Sequence, residues 1–247
     1  MDLLSRIKNK IKNNISRKQE PTSISLKDAK IWFENRRHSY DYIVEKVYRY
    51  VNPNGVYFDI GANIGFFSKI LLEKISFTGT AHLFEPIPHL ANLCEQLFFN
   101  STLNINIHAF GLGSSNTQCT IFTASDGNIG WNTIVEEKTS SNMKSITIDI
   151  KTIDSLNLPS PQFIKIDVEG SEYQVLAGMI KSLKHARHLP IILCEIGWGA
   201  KDHPHWDMEV SIFNELFNLG YKLQSLEGKN LNLNSIIKTT DTLLIPG

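Results

Sequence analysis

Apolar positions fall into two alternating periods along most of this chain. Short apolar runs at residues 56–60, 80–84, 104–110, 163–168 and 190–196 have the length and β-branched or aromatic content of buried strands. Between them, helical spacing takes over. Residues 66–74, the set Leu90, Leu93, Leu97 and Phe98, the set Val175, Leu176, Met179 and Leu183, and the set Val210, Phe213, Leu216 and Phe217 each define one helical face. Strand and helix alternate as in an α/β domain built on a mostly parallel sheet. Residues 221–226 and 242–245 read as two last strands forming an antiparallel hairpin. Residues 115–150 break the rhythm: 119–122 and 146–150 read as an added hairpin around a loop carrying Trp131, placed where an acceptor pocket would be built. Upstream, Ser25 with Asp28 resembles a capping box for a helix through Ile31, Trp32 and Phe33, and Ser39 is placed to cap a second helix along Ile43, Val47 and Val51.

The first strand is where this pattern acquires chemistry. It ends in Asp59, followed by Ile60-Gly61-Ala62-Asn63-Ile64-Gly65 and then a helix. Gly61 and Gly65 permit positive φ and close backbone approach, and Asn63 tolerates the left-handed region better than other non-glycine residues. Amides opening the following helix suit a ligand carboxylate. The second strand ends in Glu85, about 20 residues past Gly65, the offset at which an acid meets ribose hydroxyls in doubly wound folds. Pro88 is placed to open the next helix. The dinucleotide fingerprint is missing, since Asn63 and Phe66 stand where its second and third glycines belong. A loop for an amino acid joined to an adenosine fits better than one for a pyrophosphate.

Three runs together, Phe58-Asp59-Ile60-Gly61-Ala62-Asn63-Ile64-Gly65, Phe84-Glu85-Pro86 and Ile164-Lys165-Ile166-Asp167-Val168-Glu169-Gly170-Ser171-Glu172, resemble the FkbM family of S-adenosylmethionine-dependent methyltransferases. The resemblance runs from about Val56 to the C-terminus. It implies a class I methyltransferase fold: a Rossmann-like, mostly parallel seven-stranded sheet with helices on both faces and the last strand antiparallel. It also implies O-methylation of a sugar or related natural-product hydroxyl, with S-adenosylmethionine as donor. Residues 39–247 would form that domain and residues 1–38 a helical extension.

Methyl transfer from a sulfonium needs an acceptor oxygen held in line and its proton removed. Asp59, Gly61, Asn63, Gly65 and Glu85 are the expected donor-binding residues. Asp167 and Glu169, at the end of the fourth strand, are the leading acceptor-side acids, with Glu169 as base and Asp167 on the donor ammonium or the acceptor hydroxyl. His203 and His205 flank Pro204 in a loop with Trp198 and Trp206 and are alternative bases. Glu172 reads as a charge suited to a helix N-terminus and Ser171 as its cap. Glu195 is open between base, ligand and salt bridge. Lys165 is expected to pair with an acid or snorkel, and Arg36, Arg37 and His38 to be solvated surface in preference to reaching a substrate. The acids are explained by donor and acceptor binding, and no metal is expected.

Bulk properties narrow the class further. The 25 basic and 25 acidic residues leave a formal net charge of +0, which gives no case for nucleic acid as a partner. Three widely spaced cysteines fit reduced thiols in a cytoplasmic protein, with Cys94 and Cys194 as core fillers. No apolar run is long enough to span a bilayer. Leu4, Ile7, Ile11 and Ile15 make one face of a basic N-terminal helix, suited to docking on protein or to weak contact with anionic lipid. Two rival functions share the sheet: a nicotinamide oxidoreductase, disfavoured by the missing glycines, and a non-catalytic scaffold. Oligomeric state is not legible.

Overall fold

A computed structural model describes residues 24–123, 132–133, 144–196, 206–236 and 238–247. The expected basic helix at Leu4 to Ile15, Trp131, His203 and His205 lie outside these residues.

Two helices come first, α1 (Leu26–Glu34) and α2 (Arg37–Val47). Ser25 caps α1 as its spacing with Asp28 predicts, accepting from the Asp28 amide at 3.2 Å while its hydroxyl donates to Asp28 Oδ2 at 2.6 Å. The second helix starts two residues before the expected Ser39, with Arg36 at the N-cap position and no side-chain cap. The chain then follows the β/α rhythm: β1 (Val56–Ile60), α3 (Phe66–Lys74), β2 (Thr80–Phe84), α4 (Pro88–Phe98) and β3 (Asn104–His108). Pro88 occupies the first turn of α4, where its missing N–H costs nothing.

The interruption to that rhythm is a second sheet. Its strands are β4 (Gly111–Leu112), β5 (Thr117–Thr123), β6 (Asn132–Thr133) and β7 (Lys144–Lys151), in spatial order β4-β7-β5-β6. The expected hairpin is the antiparallel pair β5–β7. The main sheet resumes with β8 (Phe163–Ile166), α5 (Glu172–Ala177), α6 (Ile180–His185), β9 (Ile191–Ile196), α7 (Trp206–Asn218), β10 (Tyr221–Ser225) and β11 (Thr240–Pro246).

The main sheet has seven strands in the order β10-β11-β9-β8-β1-β2-β3. Only β11 runs against its neighbours, slotting between β9 and β10. Apolar clusters on its two faces explain why its strands are buried on both sides. One face packs Phe58, Ile164, Ile192 and Leu244 with α5 to α7, and the other packs Tyr57, Phe163, Leu193 and Leu243 with α2 to α4. A third cluster joins Ala29 and Phe33 of α1 to Ile64, Phe66 and Leu90 and to Ile121, Ile148 and Ile150 of the second sheet. The ring of Phe33 stacks on that of Phe66 at 4.3 Å. The N-terminal helices and the second sheet are thereby fastened around the loop that follows β1.

One expected helix is two. The periodicity through Val175, Leu176, Met179 and Leu183 is continuous, yet α5 ends at Ala177 and α6 begins at Ile180. A Cβ on Gly178 would lie 1.9 Å from the Gly113 carbonyl oxygen, and the Gly178 carbonyl accepts from the Asp154 amide. Close approach of these two backbones redirects the chain there. Cys94 and Cys194 are buried, as core fillers should be.

Candidate functional site

The carboxyl ends of β1, β2 and β8 open into a cleft of about 430 Å³, a size suited to a small molecule. Gly61, Asn63, Glu85, Asp167 and Glu169 all line it, while Asp59 and Gly65 do not. Its other walls come from Trp32, Arg36 and Tyr40 of the N-terminal helices and from Ile121, Ile148 and Ile150 of the second sheet.

Left-handed geometry shapes the loop after β1. Gly61 has φ +79°, Asn63 +53° and Gly65 +87°, the three positions whose residue types predict it. Gly61 is also sterically fixed, since a Cβ there would fall 1.8 Å from the Asp167 carbonyl oxygen. Gly65 sits against Cys94 and Phe98 and opens α3. Asn63 Oδ1 accepts from the Ile64 amide, so side chain and backbone hold the turn together.

Glu85 ties that loop to the one after β2. Its Oε2 accepts from the Asn63 amide and its Oε1 from the Ile87 amide, both at 2.9 Å. Burial pushes its carboxyl up to about 7, against the pull of the two amides. Each oxygen retains further acceptor capacity on the cleft side.

Asp59 is fully buried and does not reach the cleft lining. It is the register partner of Lys165 across β1–β8, and Lys165 Nζ reaches Asp59 Oδ1 at 3.2 Å. Its other oxygen accepts from Ser68 Oγ at 2.5 Å. Lys165 also lies 3.2 Å from Asp167, which stands two residues further on the same face. Burial pulls the Lys165 ammonium down, and the Asp167 and Asp59 carboxylates outweigh it, holding it well above the usual lysine range. The lysine therefore pairs with acids.

Period-two stacking continues along this face. Lys165 is in register with Leu193, and Glu195, two residues beyond, is opposite Asp241. Burial raises Glu195 to about 8 and Asp241 to about 6, reinforced in both by Asp167 and partly offset by Lys165. Among the described residues no group of three or more His, Cys, Asp or Glu side chains is placed to hold a metal ion.

The turn after β8 is fixed by Glu172, whose Oε1 accepts from the Val168 and Gly170 amides at 3.0 and 3.1 Å. Glu169 can thus hold φ +58° at the cleft edge. Burial raises the Glu172 carboxyl to about 7 despite those bonds. Reading Glu172 only as a helix-end charge misses this inward fold. The expected Ser171 cap is absent: its hydroxyl makes no capping bond and is buried at the cleft with no hydrogen-bond partner among the described residues.

The N-terminal helices do reach the ligand mouth. Both readings of Arg36 hold: it is exposed to solvent, and it lines the cleft with its guanidinium 4.3 Å from the Trp32 ring centre.

The arrangement fits an S-adenosylmethionine donor: a close-approach glycine loop, an acid with acceptor capacity for ribose hydroxyls, and an unpartnered buried hydroxyl in the same cleft. The chain is 25% identical over 177 residues to the hexuronic acid methyltransferase AglP of Haloferax volcanii, covering 72% of this chain and 71% of that protein. It superposes on the crystal structure of an FkbM methyltransferase from Methylobacillus flagellatus with a TM-score of 0.52 at 16% identity, over 78% of this chain and 44% of that one. The chain thus spans less than half the length of that solved relative. Residues 59–223, well over half of the chain, match the methyltransferase FkbM domain, and the chain belongs to this methyltransferase family.

Proposed function

We propose that this protein is an S-adenosylmethionine-dependent O-methyltransferase acting on a hydroxyl of a sugar or glycan. The observation that carries the reading is the convergence on one cleft of the left-handed loop at Gly61 and Asn63, the carboxylate of Glu85, and the acids Asp167 and Glu169. The relative named for hexuronic acid supports a carbohydrate acceptor.

When bound, S-adenosylmethionine supplies an electrophilic methyl group. Glu85 accepts from the ribose hydroxyls while its amide bonds keep both loops in place. The first-turn amides of α3, which have no intrahelical partners, receive the donor's carboxylate. Asp167, held by Lys165, takes the acceptor hydroxyl as a hydrogen-bond donor and receives its proton, and Glu169 stands beside it as the second acid. The isoleucines of the second sheet exclude water from the apolar side of the cleft. General-base assistance of this kind is worth roughly 10²–10⁴-fold. His203 and His205 remain alternative bases in this proposal.

Transfer of isotopically labelled methyl over a panel of sugars, nucleotide sugars and glycans tests the reading. The expected product is an alkali-stable methyl ether. An alkali-labile methyl ester, or a protein that binds NAD(H) and not S-adenosylhomocysteine, contradicts it.

A further inference from the structure

The N-terminal helices make one wall of the cleft. Trp32 on α1, Arg36 at the junction and Tyr40 on α2 all line the cleft. The indole Nε1 of Trp32 is buried and has no hydrogen-bond partner among the described residues. Arg36 lies over the Trp32 ring, and among the described residues it has no acid partner, whereas neighbouring Arg37 is paired with Glu34 and Asp41. Tyr40 presents a hydroxyl that burial and the nearby Asp167 push up to about 12, so it remains a phenol and can donate. Three donors, one of them cationic, therefore line the cleft together with the acids Asp167 and Glu169.

Arg36 is exposed and solvated in the free protein, while the Trp32 indole N–H has no acceptor among the described residues until an oxygen arrives with a ligand. The planar fork of a guanidinium, already oriented by stacking on an indole, matches a carboxylate in two-point contact. A neutral sugar offers no such group. The donor's own carboxylate is served by the first turn of α3.

Resting on the methyltransferase reading above, we propose that Trp32, Arg36 and Tyr40 form the acceptor subsite and that it takes the carboxylate of an acidic sugar. Arg36 grips the carboxylate, Trp32 supplies the floor and an indole N–H, and Tyr40 lies between this anion and Asp167, where the reacting hydroxyl is held. Arg36 is then the specificity-determining residue, selecting a uronic acid over the neutral hexose of the same configuration.

The test uses the full chain with 4-nitrophenyl β-glucuronide, 4-nitrophenyl β-glucoside and glucose 6-phosphate as acceptors and labelled donor. S-adenosylhomocysteine affinity is measured by calorimetry in parallel. The wild type should favour the glucuronide by about tenfold or more in kcat/KM, the weight of a charge-assisted hydrogen bond. Arg36→Gln should remove that preference and leave S-adenosylhomocysteine affinity unchanged, which also shows that the variant is folded. Equal or absent transfer to all three acceptors overturns the proposal, as does a preference for glucose 6-phosphate. An Arg36→Gln variant that loses S-adenosylhomocysteine affinity while keeping its acceptor preference places Arg36 on the donor and overturns it too. If the wild type binds no S-adenosylhomocysteine, the methyltransferase reading itself falls. Saturation-transfer NMR with the glucuronide and Arg36→Gln still decides the subsite. The glucuronide signal should vanish in the variant, and a signal as strong as that of the wild type overturns the proposal.

Discussion

Lys165 and Asp59 face each other as register partners on β8 and β1, 3.2 Å apart and buried. The pair diverts the carboxylate at the end of β1 from the cleft and makes it the anchor of a lysine that in turn holds Asp167. Asp59 thus acts on the site through Lys165, with the Ser68 hydroxyl holding its other oxygen.

Breaking that pair from one side leaves a charge with no water. Lys165→Met should lower stability by about 3–5 kcal/mol, the cost of an uncompensated buried carboxylate. Urea denaturation measures it. A loss below about 1 kcal/mol, the worth of an exposed pair, would contradict the buried role given to Asp59.

Two glycines with the same φ of +79° separate strain from steric contact. Gly228 has open space where a Cβ would go, and Gly61 has the Asp167 carbonyl oxygen at 1.8 Å. Gly228→Ala should cost about 1–2 kcal/mol for the left-handed backbone alone. Gly61→Ala should cost more and should displace the backbone at Asp167. Equal losses in the two variants, read from denaturation midpoints, would contradict the close approach.

Stability should fall as pH rises. Asp241 moves from 3.8 to about 6 and Glu195 from 4.5 to about 8 on folding. Both folded values exceed the unfolded ones, so the folded chain holds the extra protons. Their contribution is complete below about pH 4 and is lost as pH rises through about 6 to 8. Asp241→Asn removes one carboxylate from the group facing Asp167. It should stabilise the protein at pH 8.5 by on the order of 1–3 kcal/mol and change little near pH 4. Urea midpoints at the two pH values check this, and a larger gain at the acidic value would reverse the sign.

Residues with one local explanation are legible in the sequence. Gly61, Asn63 and Gly65 predict left-handed backbone because few other residue types tolerate it, and Ser25 with Asp28 predicts a cap from spacing alone. Seven strands follow from short apolar runs, and the reversed β11 from the closing hairpin. What escapes depends on interactions between distant segments. The break at Gly178 is made by Gly113, the place of Asp59 by Lys165, and the inward turn of Glu172 by two amides of the preceding loop. Arg36 stays open between solvated surface and substrate contact, because a charged residue before a helix suits either until the wall it joins is known.

The most direct measurement is calorimetry of S-adenosylhomocysteine binding to the wild type and to Glu85→Ala. Glu85 accepts from the amides of Asn63 and Ile87, leaving acceptor capacity for a ribose diol. Wild-type binding weakened in the variant by about 1.5–3 kcal/mol, the value of hydrogen bonds to a charged group, is the predicted result. A wild-type protein that binds no S-adenosylhomocysteine, or a variant that binds it equally well, would contradict the assignment of this cleft to the methyl donor.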